Sequence, residues 1–285
     1  SSLLSIGVQA FGVCTSLIEV EIPASVRYIG GGAFRKCMNL ESFVIQEGSE
    51  AIITQNIFAG DLSKLTTIKF PDGVRFGTIE TNINGIINLA TTGFYKDDSN
   101  WNGNLLYIDN HLVASKENVS FSKFEIDDGV VSIASNVFSK YNNLSYLFIP
   151  ESVKFIGQSN FSNTTSLEVV CYESSEENWN NIVISSSNTY LINSQKIFNH
   201  VHDETTQKVT IGRSPVTCEL SGYTGDVYCR ECDWLFKKGE YIEALGHNYE
   251  LTDIPATCTS HGVKYRTCLN CNQTIIDEST LFNSN

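Results

Sequence analysis

The residues whose types and spacing best suit chemistry are cysteines and histidines in the last third of the chain. Six of the nine cysteines fall between Cys218 and Cys271. They form two related blocks, which align on "PVTC" at Pro215 and "PATC" at Pro255, and each block ends in a Cys-x2-Cys pair. Three cysteines cannot close into disulfides within one block, whereas three thiolates and one imidazole complete the tetrahedral shell of a structural zinc ion. The spacing therefore predicts zinc as the cofactor, with one site for each block.

The fourth ligand of each predicted site is a histidine that precedes the block. His200 and His202 lie ahead of the first block, and His247 lies ahead of the second. We predict that each site takes a leading histidine and the three cysteines of its own block. The first predicted ligand set is His202, Cys218, Cys229 and Cys232, and the second is His247, Cys258, Cys268 and Cys271.

Two alternatives for these cysteines stay open. His247 could instead serve the first block as a trailing ligand, which leaves the second block short of one ligand. The cysteines could also pair as disulfides between the blocks, as an oxidising extracellular setting permits. The blocks are small and polar with few apolar residues for a core, so a metal ion would supply their folding free energy. Four protein ligands leave a zinc ion no open position, and neither block is expected to be catalytic.

A repeat of about 23 residues organises the first two thirds of the chain. The sequence "IGVQAF" at Ile6–Phe11 recurs as "IGGGAF" at Ile29–Phe34 and as "IGQSNF" at Ile156–Phe161, and the glycine in each copy suits a tight corner. Runs such as "LIEVEIPASV" from Leu17 alternate apolar and polar residues, which indicates a strand. Because one copy cannot bury its own apolar side, stacked copies must share a continuous core. The repeat predicts an α/β solenoid that is mainly β, with one short strand per ~23-residue coil.

An interruption of the repeat lies between Phe58 and Phe138, which are 80 residues apart. This is about 11 residues more than three regular steps require. The sequence "NLLYIDNHLVAS" from Asn104 predicts a hairpin whose turn includes Asp109. We expect the hairpin to project from an irregular coil or to patch it, with His111 at the surface beside the turn.

The pattern "IPASVRYIGGGAFRKCMNLESFVI" from Ile22 closely resembles the BspA-like leucine-rich repeats, the Treponema pallidum type, of bacterial and protozoan surface proteins. "WNGNLLYIDNHLVAS" from Trp101 looks like that family's usual interruption, and the sequence from Val169 to Phe198 looks like its terminal coil. The similarity spans nearly all of residues 1–200. It implies a right-handed leucine-rich-repeat array and an extracellular or cell-surface protein whose signal and anchor lie outside this chain. It also implies a role in recognition or adhesion.

The repeat and the cysteine blocks together predict three domains. The solenoid is expected at residues 1–199, with its hairpin insertion near residues 100–116. The first Cys/His block is expected at residues 200–245 and the second at residues 246–285.

Charge and motifs narrow the functional class. The formal net charge is −13, which disfavours nucleic acid and anionic membranes, since both need a basic footprint. No apolar run approaches the ~18 residues of a membrane span, so no membrane insertion is expected in this chain. The sequence contains no nucleophile elbow, no His-Glu-x-x-His and no phosphate-binding loop. We therefore predict that the protein is not an enzyme.

Side chains on the outward face of the predicted strands are the candidate binding residues. They are Val44, Tyr146, Phe148 and Val169. A line of exposed apolar or aromatic residues marks a contact surface, although stacked strands could also bury these residues against one another. The predicted partner is a protein or glycan on a host or neighbouring cell, bound by a monomer. A passive spacer that presents another module is the alternative function, and an enzyme with an unrecognised site is the third.

Overall fold

The computed structural model describes residues 2–77, 88–116, 121–202, 205, 208–257 and 261–277. The chain divides into two compact units, Ser1–Val201 and His202–Asn285. This division falls close to the predicted end of the solenoid at residue 199. The first unit carries the 23-residue repeat, and the second carries both cysteine blocks; we call the second unit the tail.

The first unit is a mainly β solenoid in which successive coils pair through parallel strands, as the repeat predicts. Ile6 pairs with Ile29, and Ile29 pairs with Ile53, so equivalent residues of neighbouring coils lie side by side. A regular coil holds two strands where the sequence predicted one. The second strand has only two residues, such as Tyr28–Ile29, and so short a strand shows no alternation of apolar and polar residues.

The strands form two pairs of sheets. In the first pair, one sheet contains the two-residue strands Ser5–Ile6, Tyr28–Ile29, Ile52–Ile53 and Arg75–Phe76. The other sheet contains the longer strands Glu19–Ile22, Ser42–Ile45 and Thr67–Lys69, and we call it the N-terminal strand face. In the second pair, one sheet contains Trp101–Asn102, Leu105–Ile108, His111–Ser115, Ser132–Ile133, Phe155–Ile156 and Val183–Ile184. The other sheet, which we call the C-terminal strand face, contains Lys123–Glu125, Tyr146–Ile149, Val169–Tyr172 and Gln195–Ile197. The helices are short: Gly93–Lys96, the 3-10 helix Asp98–Asn100, Glu176–Asn180 and Thr189–Asn193.

Phenylalanines at equivalent repeat positions stack through the core. The rings of Phe11 and Phe34 lie 5.2 Å apart and nearly parallel, and those of Phe138 and Phe161 lie 5.4 Å apart in the same arrangement. Such spacings are favourable for aromatic pairs. The glycine corner is also as tight as the sequence predicts, because a Cβ on Gly157 would lie 2.5 Å from a backbone nitrogen of the preceding coil.

The hairpin is built into the solenoid. Its strands Leu105–Ile108 and His111–Ser115 are antiparallel to each other, and the second strand pairs in parallel with Ser132–Ile133. The hairpin therefore patches the array, which is one of the two predicted outcomes. Its apolar side chains lie in the continuous core of buried residues.

The prediction that His111 lies at the surface is wrong, since the residue is fully buried. It opens the strand that continues the stack of coils, so its ring faces the core. Nε2 lies 3.0 Å from the carbonyl oxygen of Pro71, and Nδ1 lies 2.6 Å from Oγ of Ser132. Because a carbonyl can only accept, Nε2 carries the proton and Nδ1 accepts from the serine hydroxyl. Burial lowers the pKa of His111, in spite of Asp72 and Asp109 nearby, so the neutral ring is favoured.

The tail consists of small antiparallel sheets. Lys208–Ile211, Asp226–Cys229 and Leu235–Lys237 form one sheet, Gly222–Tyr223 and Tyr241–Ile242 form another, and Tyr249–Ile254, Val263–Cys268 and Thr274–Ile276 form a third. Among the described residues of the tail, the buried positions are four cysteines and three glycines. Sheets of this size bury too little apolar surface to be stable alone. The cysteines therefore occupy the places that a hydrophobic core would fill.

Candidate functional site

Four side chains of the tail converge on one point. The ligand atoms of Cys218, His247, Cys268 and Cys271, which we call the Cys218 cluster, all lie within 4.8 Å of one another. The sulfurs of Cys218 and Cys268 are 3.8 Å apart, and the sulfur of Cys271 is 3.6 Å from Nδ1 of His247. A tetrahedral zinc shell with Zn–S bonds of about 2.3 Å has S–S edges of about 3.8 Å and slightly shorter S–N edges. The cluster can therefore hold a metal ion with little movement.

The Cys-x2-Cys pair of the cluster sits on a tight turn at the end of a strand. The backbone N–H of Cys268 donates to the carbonyl of Gln273 at 2.8 Å, and the N–H of Asn272 donates back to the carbonyl of Cys268 at 2.8 Å. Asn272 has a positive φ of 58°. The first block repeats this turn, with Asp233 at a φ of 54° donating to the carbonyl of Cys229. The duplicated sequence thus forms the same Cys-x2-Cys turn, which we call the knuckle, twice.

The segment 245–248 presents His247 to the cluster. On one side, the backbone N–H of Gly246 donates to the carbonyl of Cys218 at 3.0 Å. On the other side, the N–H of Leu269 donates to the carbonyl of Asn248 at 2.7 Å. The chain between the blocks is therefore held from both directions, and this fixes the position of the imidazole.

The His247 ring is further oriented by two neighbours. Tyr249 stacks on it with ring centroids 5.2 Å apart. Nε2 lies 3.6 Å from a carboxylate oxygen of Glu219, while Nδ1 faces the thiols. Metal-binding histidines commonly direct their second nitrogen at a carboxylate in this way, which sets the tautomer and strengthens the ligand. The arrangement assigns Nδ1 as the donor atom toward a metal.

The thiols of the cluster differ in acidity. Burial opposes ionisation of Cys268, but the His247 ring and the backbone N–H groups of Asn270 and Cys271 outweigh it and lower the pKa of Cys268 to about 6. Burial, and then the neighbouring Cys271 and Cys268 thiols, raise the pKa of Cys218 to about 12. One thiolate thus forms readily, and further thiolates in so small a space need a cation to offset their mutual repulsion.

The structure regroups the predicted ligands. Cys218, predicted to belong to the first set, lies with His247, Cys268 and Cys271 of the second. His247 lies near a cysteine of the first block and also near Cys268 and Cys271 of the second. The reason is the backbone pairing of Gly246 with Cys218, which the order of residues along the chain does not reveal. Cys258 lies outside the described residues.

Two contacts, both with Cys232, link the remaining predicted ligands of the first block. Nε2 of His202 is 3.3 Å from the sulfur of Cys232. Cys229 lies beside Cys232 on the first knuckle, and its pKa is raised by burial. The His202 ring stacks on Trp234 with centroids 5.0 Å apart. Of the first predicted set, His202 and Cys229 therefore lie beside Cys232. Cys218 lies in the other cluster.

Val44 lies on the N-terminal strand face, where a shallow depression of about 390 Å³ is open to solvent. The lining residues are Glu19, Val20, Glu21, Ser42 and Val44. Val44 is half-buried and lies in register between Glu21 and Lys69 of the neighbouring strands. The depression thus combines an apolar centre with an acidic rim on one side.

The other predicted contact residues lie on the C-terminal strand face. Tyr146 and Val169 are half-buried and adjacent in register, and the Lys123 ammonium lies 4.4 Å from the Tyr146 ring centroid. Phe148 is only 5% exposed, with its ring 6.1 Å from that of His200. The chain that follows the last coil covers Phe148, so this side chain does not offer a free contact surface.

Comparison with known protein families gives a match over the solenoid. A family model described as the BspA type leucine rich repeat region matches residues 1–96 and 98–205 in six copies. The chain belongs to the BspA-type leucine-rich repeat family. BspA-type repeats support an interaction or surface protein, and proteins built from leucine-rich repeats are typically non-enzymatic binding scaffolds. The resemblance seen in the sequence is thereby confirmed.

Solved structures similar to the BspA-type chain include bacterial leucine-rich-repeat proteins. The pneumococcal vaccine antigen PcpA is 18% identical with a TM-score of 0.23, and the match covers 60% of this chain and 42% of that one. The T. pallidum leucine-rich repeat protein is 23% identical with a TM-score of 0.19 and coverages of 59% and 51%. A leucine-rich repeat protein from Bacteroides ovatus is 20% identical with a TM-score of 0.26 and coverages of 66% and 57%. The chain thus spans about half the length of these structures, and the family assignment rests on the family model.

The comparison with curated proteins gives no significant match. Among the described residues, no helix has the length and apolar character needed to cross a membrane.

Proposed function

We propose that this BspA-type protein is an extracellular or cell-surface recognition protein that binds a protein or glycan of a host or neighbouring cell through its strand faces. The observation that carries the proposal is the depression around Val44 on the N-terminal strand face. Parallel strands in strict register hold its side chains in a fixed array. A preordered surface loses little conformational entropy on binding, which favours recognition.

The chemistry of the depression favours a partner with basic and apolar groups. Glu19 and Glu21 project from the same strand and are exposed, whereas Val44 offers apolar surface between the strands. The formal charge of −13 adds a long-range attraction for basic partners. A basic segment of a partner protein fits these features, and adhesion between cells is the biological role that follows from the proposed location.

A binding screen tests this function. The purified chain is applied to arrays of extracellular matrix proteins and glycans, and hits are compared with the variants Val44→Asp and Glu21→Lys. We expect both variants to lose binding, while Asp128→Lys, which reverses an exposed charge in the turn of another coil, retains it. An absence of saturable binding on all arrays would favour the passive spacer, and equal binding by all variants would move the site away from Val44.

We also propose that the tail is stabilised by structural zinc, with one ion at each knuckle. The Cys218 cluster supplies the supporting observation, because three thiols and one imidazole at tetrahedral spacing match the ligands that zinc prefers. The cysteines also replace the apolar core that the tail lacks. Elemental analysis of the purified chain should find about two zinc ions per molecule. A chain without zinc and without free thiols would instead contain disulfides.

A further inference from the structure

We infer that the zinc ion of the Cys218 cluster joins the two cysteine blocks: the first cysteine of one block completes the metal site of the next block's knuckle. The metal-binding unit is therefore offset from the sequence repeat, and the tail folds as a linked pair. This inference rests on the proposed zinc binding. It assigns the ligand set Cys218, His247, Cys268 and Cys271 in place of a set drawn from one block.

The strands of the tail do not by themselves connect the blocks. In the part of the tail that the structure describes, every named strand pairs within its own block: the sheets of the first block end at Ile242, and the sheet of the second begins at Tyr249. Between them, residues 243–248 have no regular secondary structure. The connection must therefore come from the segment 245–248 and from the side chains that it approaches.

The backbone near the cluster supports a shared site. Leu245 and Gly246 donate to the carbonyls of Thr217 and Cys218 at 2.9 and 3.0 Å, as a short strand added to the first block would do. The side-chain amide of Asn270, within the second knuckle, donates to the carbonyl of Gly246 at 3.2 Å. One short segment thus touches both blocks, and the sulfur of Cys218 reaches the knuckle at the same place.

The count of ligands supports the same conclusion. Cys218, His247 and the two knuckle cysteines already provide four donors, which saturate a tetrahedral ion. The alignment of "PVTC" with "PATC" places Cys258 at the repeat position of Cys218. A site that took both residues would have five donors. Cys258 is therefore not required for this ion, and it makes a matched control for Cys218.

Cysteine variants of the full chain separate the two ligand sets. Zinc content is measured by elemental analysis for Cys218→Ser, Cys258→Ser and Cys268→Ser, all purified without added chelator. We expect Cys218→Ser and Cys268→Ser each to lose one zinc ion per chain and Cys258→Ser to retain the full content. Cys218→His, which restores a donor atom, should recover the ion.

Proteolysis gives a second measurement on the same variants. Glu243 is exposed and lies between the last strand of the first block and the first strand of the second, so a protease specific for glutamate reports how firmly the blocks are joined. Cleavage after Glu243 should be faster in Cys218→Ser and Cys268→Ser than in the parent chain, and unchanged in Cys258→Ser.

The outcomes distinguish the inference from the proposal beneath it. A parent chain without zinc overturns zinc binding itself. A zinc-containing parent whose ion is lost in Cys258→Ser and kept in Cys218→Ser overturns only the offset, and restores the single-block set.

Discussion

The solenoid and the tail are both built from sequence repeats, but the repeats are stabilised in opposite ways. Each coil of the solenoid contributes apolar side chains to a core that continues into its neighbours, so stability is distributed over many residues. The described part of the tail places cysteines and glycines at its buried positions, so with the proposed zinc ions its stability would depend on a few ligand atoms. A repeat in sequence therefore does not say by which physical means its copies are joined.

The units of repetition differ as well. In the solenoid, the sequence repeat and the structural coil coincide, because equivalent residues such as Ile6 and Ile29 pair directly. In the tail, the side chains that converge on one point come from both blocks. We therefore expect the solenoid and the tail to respond differently to the same treatment.

Removal of zinc should produce the largest difference. Structural zinc contributes on the order of 10 kcal/mol to the folding of small metal-dependent domains. A strong chelator should therefore unfold the tail and leave the solenoid intact. Limited proteolysis followed by mass spectrometry should show rapid loss of residues 202–285 and survival of a fragment close to residues 1–201. Equal resistance of both units with and without chelator would show that zinc does not stabilise the tail.

A methyl group at the glycine corner should damage only the solenoid. A Cβ on Gly157 would lie 2.5 Å from the backbone nitrogen of Ser135, and backbone cannot move aside easily. Gly157→Ala should lower the free energy of unfolding by about 1–3 kcal/mol, as overpacked sites do. The matched control is Gly7→Ala, where the new Cβ meets nothing within 4 Å, and its effect should stay within about 0.5 kcal/mol. Urea unfolding gives the free energy of unfolding of both variants. Equal losses of stability in the two would contradict the close approach of neighbouring coils at Gly157.

Acid should lower the free energy of unfolding of the solenoid through His111. We expect this effect to be smaller than those of zinc removal and of Gly157→Ala. Because burial lowers its pKa from the ordinary value of 6.5, the unfolded chain binds a proton at a higher pH than the folded chain does. The stability is therefore full above about pH 6.5 and falls as the pH drops below that value. His111→Gln should remove this part of the pH dependence.

Urea unfolding at pH 7 and pH 5, with parent and variant compared, isolates the histidine. Acid release of the proposed zinc from the tail would affect both chains equally and would cancel in the difference. A parent and a His111→Gln variant with identical pH profiles would show that the histidine does not titrate in this range.

Much of the solenoid could be predicted from the sequence, because its physics is local and repeated. The spacing of Phe11 and Phe34 sets the coil length, and the glycine after isoleucine marks the corner. The two-residue strands could not be predicted, since two residues carry no periodicity. The burial of His111 was also missed, because a polar residue beside a turn is usually exposed and only the neighbouring coils show otherwise.

The candidate site was predictable in residue types and not in grouping. Cysteine counts and knuckle spacing predict which residue types come together, but duplicated blocks offer equivalent partners for the same histidine. The choice of Cys218 depends on backbone hydrogen bonds from Leu245 and Gly246, which leave no trace in spacing. Phe148 illustrates the same limit, because alternation along its strand cannot show that His200 returns to cover it.

The buried imidazole of His111 also lies where two parts of the solenoid meet. The two-residue strands of the solenoid belong to two separate sheets in the described residues, and the His111 ring lies 5.5 Å from Phe76 of the first and bonds to Ser132 of the second. Within each sheet, ladders of parallel backbone hydrogen bonds join the coils. Around His111, side chains make the connections: Nε2 of His111 donates to the carbonyl of Pro71, Asp109 accepts from the N–H of Phe70, and the Asn110 amide donates to Asp72. The turn of the hairpin is therefore a splice made by side chains between two stretches of coils that are joined by backbone pairing, and its integrity depends on a few polar groups.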